Sequence, residues 1–502
     1  MKEKAFRFIA LILLTATVCG TAIGCRNNKG NSSGTTEHAG TKENHRDDLP
    51  KLDFDGESIS FCTREFDWYN KEITVSSDDM VDIVDAAVYT REQNVNKRLN
   101  VKIENKKIAG SGQNGFTVVM EAINTDISTG DGQYQVGVNN IYHSMARVAD
   151  DLFYDLNTLK YVDTSKEYYS SLFVRNATIG NKLYAIMGDG TLTGLKFSFA
   201  TFFDKSVAAD MKIDDLYQTV LDGKWTWEYQ LSLIRDTWKD IGDQPYAKDE
   251  NDNFGLITNA VLGVDPYWSA FNLGILKPEE DGFEIMLNNK AVQSKMSNSL
   301  EAILALFYDS NGTYVLGHEA DDKEMVVTAP KMLSEHKTLF ATLRLDAVET
   351  AFLRNMDDNA YGIIPMPKYN EQQKYYYSQV HDLASVFLVS AGTAPGKLDA
   401  VGATIECFFS ESEDVRHQFF EVCLKTKYQD DANNCKMLDL IANYAKIDAG
   451  WIYSDAANGI ALCLRTLVQS ESTNFASWYA RSSKKLETSI SNFVNQFDFL
   501  SQ

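Results

Sequence analysis

The sequence predicts an exported α/β protein whose body folds as two or more domains, and three observations carry that prediction. The chain of 502 residues opens with a charged, then apolar, then small-residue leader. The body that follows is longer than one hydrophobic core ordinarily organises. Within it, the period-two alternation of strands gives way repeatedly to the 3.6-residue spacing of helices.

The leader has Lys2, Lys4 and Arg7, then the apolar run FIALILLTATV over 8–18, then small residues up to Cys25. This is the make-up of an export signal, too short to remain as a membrane span. Its ending, Ala22-Ile23-Gly24-Cys25, resembles the lipobox of bacterial lipoproteins, in which the cysteine is lipidated and becomes the first mature residue. That pattern usually has Leu where this chain has Ala22, and a plain secretory signal is the alternative. Residues 26–50 contain almost no apolar side chain, so they cannot offset the entropy of ordering and read as a flexible tether from Cys25. No later stretch has the length of uncharged apolar sequence that a transmembrane helix needs.

The composition, 44% hydrophobic and 12% aromatic, is that of a packed globule. A formal charge of −22 argues against nucleic acid or an anionic membrane surface as the main partner. Of the seven cysteines, Cys19 and Cys25 belong to the leader. Cys62, Cys407, Cys423, Cys435 and Cys463 remain, an odd set whose spacing fits no zinc site and whose apolar neighbours suit buried thiols.

Ile59 and Phe61 alternate as in a strand that runs into the loop of Asp67, Trp68 and Tyr69. Val84, Val88, Val95 and Leu99 then share one helical face, and Val101 and Ile103 resume strand alternation. A second helix over 116–127 leads to a strand over 134–140. This strand–helix alternation predicts an α/β lobe with a mainly parallel sheet. Further strand candidates are 180–190, 197–206, 337–345, 361–368 and 383–390; helices follow from Leu398 nearly to the end.

Several catalytic or cofactor patterns fail on inspection. Gly110–Gly115 matches G-x-G-x-x-G, yet it does not directly follow the strand, and Asp131 sits in a Gly-rich loop rather than at a strand end. Ser334–Lys337 matches S-x-x-K without a K-T-G element. In Lys248–Gly255 the glycine of a calcium loop is replaced by Phe254, which leaves an Asx-rich turn. With no catalytic residues, metal or cofactor indicated, an enzyme is unsupported, although a surface glycan hydrolase stays open because no sequence pattern certifies a carboxylate pair.

Four segments occur in register: 180–186, 214–230, 361–380 and 435–454. Together they resemble the extracellular solute-binding proteins of family 1, the lipoprotein receptors of carbohydrate-type ABC importers in Gram-positive bacteria. The resemblance implies a two-lobe Venus-flytrap of the type II periplasmic-binding-protein, maltose-binding-protein-like kind, with crossover strands at a hinge. On that plan the first lobe takes 51–194 plus about 383–420, and the second takes 195–382 plus about 421–502. It further implies a monomer on the outer face of the cell membrane that captures a carbohydrate, expected to be an oligosaccharide, between the lobes and delivers it to ABC permease subunits. A peptide or polyamine receptor, or a sensor lipoprotein, are the alternatives.

A sugar site needs flat aromatic faces and side chains that pair with hydroxyls, placed at the carboxyl ends of strands. By that rule the candidates are Asp67, Trp68, Tyr69, Asn139 and Asn140 on one lobe, and Asp189, Trp268, Arg344 and Asp346 on the other. His381 and Asp382 precede the crossover strand, and Trp451 is added from the C-terminal part. Trp68 is the strongest of them, because no helical or strand period would bury it. The pair Trp225 and Trp227 reads differently: Trp227, Leu231, Ile234, Trp238 and Ile241 form one helical stripe, with Thr226 placed as the cap. That places Trp227 in a core and leaves the ligand platform to Trp68 and Trp268.

Overall fold

The computed structural model describes residues 45–66, 69–110, 113–242, 245–317, 324–357, 360–425 and 432–497. Asp67, Trp68, Cys25 and the leader lie outside the described residues. Among the described residues no helix is long and apolar enough to cross a membrane.

The first sheet grows from the predicted alternation. Strands β1 (Glu57–Glu65), β2 (Val101–Ala109) and β3 (Val136–Asn140) pair in parallel, with Phe61 opposite both Asn105 and Val136. The crossover between β1 and β2 is the helix Ile83–Leu99, started by the Asp82 carboxylate, which accepts from the backbone N–H of Val84 and Asp85. It is stopped at Asn100, whose left-handed φ of 49° ends the ladder. Its predicted apolar face, Val84, Val88, Val95 and Leu99, is buried.

The chain then leaves for a second group of strands: β4 (Phe199–Asp204), β5 (Phe254–Asn259), the hairpin β6 (Leu276–Glu279) and β7 (Gly282–Ile285), β8 (Thr313–Leu316), β9 (Thr338–Arg344) and β10 (Tyr361–Ile364). The hairpin stands apart, and the other five strands run in the order β10-β4-β9-β5-β8. The two pairings of β4 are antiparallel and the two of β5 parallel, so this sheet is mixed. Short β11 (Ser378–Gln379) pairs with β13 (Ala445–Lys446), and the chain returns as β12 (Ser385–Val389), antiparallel to β3. The first sheet thus has the order β12-β3-β1-β2, and the helix Leu398–Ser410 covers it with Phe408 against Phe61 and Phe387.

The two passages between the sheets lie side by side. The backbone N–H of His381 donates to Phe197 O at 3.0 Å, and Ser198 bridges Val380. One buried carboxylate ties them together. Glu72 Oε1 accepts from the backbone N–H and the hydroxyl of Thr193 at 2.9 and 2.8 Å, and its Oε2 accepts from the Ser385 hydroxyl. Burial is the largest influence on this carboxyl and pushes its pKa up, against those hydrogen bonds and the buried Arg91 cation.

Four expectations need correction. Segment 180–190 forms isolated bridges rather than a strand: Lys182 to Ile179, Ile186 to Phe387 and Gly188 to Tyr169, each to a different partner segment. Residues 45–50, expected as part of the tether, pack on the body: Arg46 pairs with Asp189 at 2.9 Å and Asp47 is buried against Arg98 and Ser410. The helix expected to reach Ile241 stops at Ile234, where Arg235 turns extended and Asp236 takes a φ of 59°. Ile241 is consequently 63% exposed. Finally, Trp225 rather than Trp227 is the core residue. Its ring is fully buried against Phe340 and its Nε1–H donates to Pro365 O at 2.9 Å, while Trp227 is half-buried. Thr226 caps the helix as expected, accepting from Tyr229 N–H.

Candidate functional site

The carboxyl ends of β1 and β3, the paired passages and the end of β9 meet in one continuous network of rings and fixed charges. At the end of β1, the Arg64 guanidinium lies 4.4 Å from the Phe66 ring centre and 4.0 Å from that of Phe116. Phe116 stacks on His143, with centroids 5.5 Å apart and planes at 5°. His143 in turn meets Tyr142 edge-on. Tyr69 packs against Phe66 and Phe197, and its phenol donates to Leu383 O at 2.8 Å. On the far side of Phe197 stands Arg344, 4.5 Å from its ring and doubly bonded to Asp346 at 3.2 and 3.0 Å.

His381 sits in the middle of this network, beside Phe199 at 5.8 Å. Its Nδ1 accepts from Leu383 N–H, which puts the proton on Nε2, and Nε2 is buried with no partner among the described residues. Burial first, then the Arg344 and Arg465 cations, hold its pKa well below the ordinary value. Arg465 pairs with Asp265 through Nε at 2.7 Å and through Nη2, and its guanidinium lies 5.5 Å from the Trp451 ring. Trp451 Nε1 and Ser454 Oγ are likewise buried without partners among the described residues. Asp455 acts on both Tyr142 and His143, which places this C-terminal segment against the end of β3.

A buried neutral histidine has a consequence for stability. Below pH ~6.5 the unfolded chain binds a proton at this position and the folded chain does not, so stability falls as the pH drops below that value, by at most ~1.4 kcal/mol per pH unit per proton. His381→Asn keeps an acceptor for Leu383 N–H and removes the titration. Chemical denaturation between pH 7 and 5 should therefore show a shallower loss in the variant than in the wild type, whereas equal slopes would contradict a neutral His381.

The predicted residues fall into three groups. Tyr69, Arg344, Asp346, His381 and Asp382 come together in the network, and Trp451 joins through Arg465. Asn139 and Asn140 lie beneath it in supporting roles: Asn140 caps the helix Ile141–Met145 through His143 N–H, and Asn139 donates to Phe116 O. Trp268 and Trp451 are each 1% exposed, so both rings are packed in the core and neither offers an open face. Asp189 lies elsewhere, bonded to Arg46 and near Arg416 on a separate cavity of about 180 Å³. Arg64, Phe116, His143, Asp265 and Arg465 escaped the sequence reading. Only the strand-end position of Arg64 could have singled it out, because the rest are assembled by contacts distant in sequence.

One constellation imitates a catalytic triad. Ser206 Oγ and Asp204 Oδ2 both approach His336, at 3.2 and 2.6 Å, but both contact the same nitrogen, Nδ1. A relay needs one partner on each ring nitrogen, so this trio works as a cap: Asp204 accepts from Ser206 and Val207 N–H. Asp252, in the Asx-rich turn, accepts from Trp238 Nε1 and from three backbone N–H groups. Among the described residues no group of three His, Cys, Asp or Glu is placed to hold a metal ion.

No protein-family model matches the chain, and no curated protein sequence matches it. Solved structures do match in fold. The sugar-binding protein MalE from Xanthomonas citri superposes with a TM-score of 0.55 at 10% identity, covering 87% of this chain and 98% of that one. The maltose-binding protein MalE from Listeria monocytogenes, in complex with maltose, gives 0.53 at 12% identity and covers 88% and 99%. The galacto-N-biose-/lacto-N-biose I-binding protein of the ABC transporter from Bifidobacterium longum gives 0.50 at 9% identity, with 88% and 98% covered. These neighbours are binding proteins rather than enzymes. The mixed α/β architecture of this chain, with its two main sheets joined by adjacent passages, is the two-lobe fold of MalE-like solute-binding proteins.

Proposed function

We propose that this protein is the receptor of an ABC importer, held by a lipid on Cys25 at the outer face of the cell membrane, that captures a carbohydrate and presents it to a permease. The observation that carries this reading is the network at the junction of the two sheets. It supplies ring faces and fixed charges together with His381 Nε2, Trp451 Nε1 and Ser454 Oγ, buried polar atoms without a hydrogen-bond partner among the described residues. Such groups suit a polyhydroxylated solute, because each unpaired buried donor costs ~1–3 kcal/mol until a ligand atom meets it.

The mechanism requires no bond chemistry. The first lobe, 51–194 with about 383–420, and the second, 195–382 with about 421–502, would hinge at the paired passages. A ligand that touches both lobes only when they are closed shifts that equilibrium by its differential affinity. The closed form is then the one the permease recognises.

Thermal melts against mono- and oligosaccharides, amino acids and polyamines test the substrate class. A ligand at 100 times its Kd should stabilise the protein by ~2.7 kcal/mol and raise Tm. A shift with a polyamine or peptide and with no sugar would replace the carbohydrate assignment. Hydrolysis of an oligosaccharide by the purified protein would replace the receptor reading itself.

A further inference from the structure

Asp189 stands apart from the network, in a crevice of about 180 Å³ that it shares with Arg416. A cavity of about 150 Å³ is enough to hold benzene, so a small organic solute has room here. Residues of 167–172 and 187–195, the latter leading into the first passage, form one wall, and residues of 442–445 the other. Glu167, Ser171 and Asn443 line it and are exposed, so the crevice is reached from solvent.

Its two charges are only partly used. Asp189 Oδ2 accepts from Arg46 Nη1 at 2.9 Å, but Oδ1 accepts no hydrogen bond among the described residues. The Arg416 guanidinium lies 3.7 Å from that Oδ1 and 3.9 Å from Asp439 Oδ1, beyond hydrogen-bond distance of both, and its side chain donates no hydrogen bond among the described residues. The side chains of Asp189 and Arg416 keep 11% and 29% of their surface, so neither is sealed off. A carboxylate and a guanidinium thus stand side by side on a space that can hold a solute, each with hydrogen-bonding capacity to spare.

A solute that complements such a pair without separating it carries the opposite charges at a similar spacing. An α-amino acid does so, because its ammonium nitrogen and nearer carboxylate oxygen are about 3 Å apart by bond geometry. Ammonium against Asp189 and carboxylate against Arg416 close a square of alternating charges. The rest of the crevice is largely aliphatic, with Leu172, Leu195, Ala442 and Ala445 half-buried along it. Tyr168 and Tyr169 also line it, but both are buried and donate their phenols to Glu406, so no ring face is open for a sugar to stack on.

We infer that this crevice is a second binding site, for an α-amino acid with an aliphatic side chain, whose ammonium group meets Asp189 and whose carboxylate meets Arg416. The inference is independent of the carbohydrate reading of the network.

Calorimetric titration of the purified protein with L-leucine and L-methionine tests it. The controls are leucinamide, which lacks the carboxylate, 4-methylpentanoate, which lacks the ammonium group, and glycine, which lacks the side chain. Leucine or methionine should bind at least about 10-fold tighter than each control, as the loss of a charge-assisted bond or of the apolar contact requires. In Arg416→Gln, at a partly exposed position, leucine should weaken at least about 10-fold while leucinamide binds as before. Ala442→Leu, which fills the crevice and leaves both charges in place, should abolish leucine binding.

No binding of either amino acid, or leucinamide bound as tightly as leucine, would overturn the inference. Leucine binding undiminished in Arg416→Gln would refute the charge pairing, and undiminished in Ala442→Leu it would refute the site. Glucose bound in place of leucine, and lost in Ala442→Leu, would make the crevice a sugar site instead. Should one variant fail to fold, the other and the wild-type series still decide. Saccharide binding by Arg416→Gln should equal that of the wild type, so the outcome is read separately from the carbohydrate test.

Discussion

Replacing Glu72 by alanine is expected to destabilise the protein by about 3–5 kcal/mol, because it removes a buried carboxylate from the donors that end on it and from the buried Arg91 cation. Thr193 N–H, the Thr193 hydroxyl and the Ser385 hydroxyl all end on this side chain. Thr193 and Ser385 sit on the two passages between the sheets, and they also bond each other, Ser385 N–H to the Thr193 hydroxyl at 2.9 Å. Arg91, 1% exposed, lies against Phe408 at 3.8 Å and draws on the Glu72 charge. Glu72→Gln keeps an acceptor for Thr193 and should lose less than Glu72→Ala. Urea denaturation of the two variants checks the order; an alanine variant within 1 kcal/mol of wild type would mean that the passages do not depend on this carboxylate.

Trp225→Ala should cost a similar ~3–5 kcal/mol, by cavity formation rather than by loss of charge. The indole is fully buried between Phe340 of β9 and Tyr229, and its Nε1–H bond to Pro365 O links the helix Trp227–Ile234 to the end of β10. Trp227→Ala, at a half-buried position, should cost clearly less. Thermal unfolding of the two single variants separates the assignments, since the reverse order would restore Trp227 as the core anchor.

The contrast between these tryptophans shows what the sequence could reveal. Periodicity identified the helix and its Thr226 cap, which are local properties. The depth of Trp225 is set by a carbonyl 140 residues away and by a strand it cannot announce. The first sheet was legible for the same reason: Ile59, Phe61 and the Val84–Leu99 stripe each repeat within a few residues. In the second sheet, strand-like runs gave most of the strands, but order and direction depend on partners far along the chain.

The candidate site was less legible. Strand ends pointed to Tyr69, Arg344 and Asp346, and the crossover position pointed to His381 and Asp382. Arg465 and Asp265 meet across 200 residues, and nothing near either announces the pair. Trp268 and Asn140 satisfied the rule of loops after strands, yet one ring is packed away and one amide is spent as a helix cap, because position at a strand end says nothing about which way a side chain turns.

Closure of the two lobes on a sugar is the proposed mechanism of capture. Small-angle scattering of the purified protein, with and without a saturating saccharide chosen by its rise in Tm, tests that most directly. A smaller radius of gyration with ligand bound and unchanged mass is expected, reversed when the ligand is dialysed away. An identical scattering profile in the two states, with the saccharide demonstrably bound, would contradict closure as the mechanism.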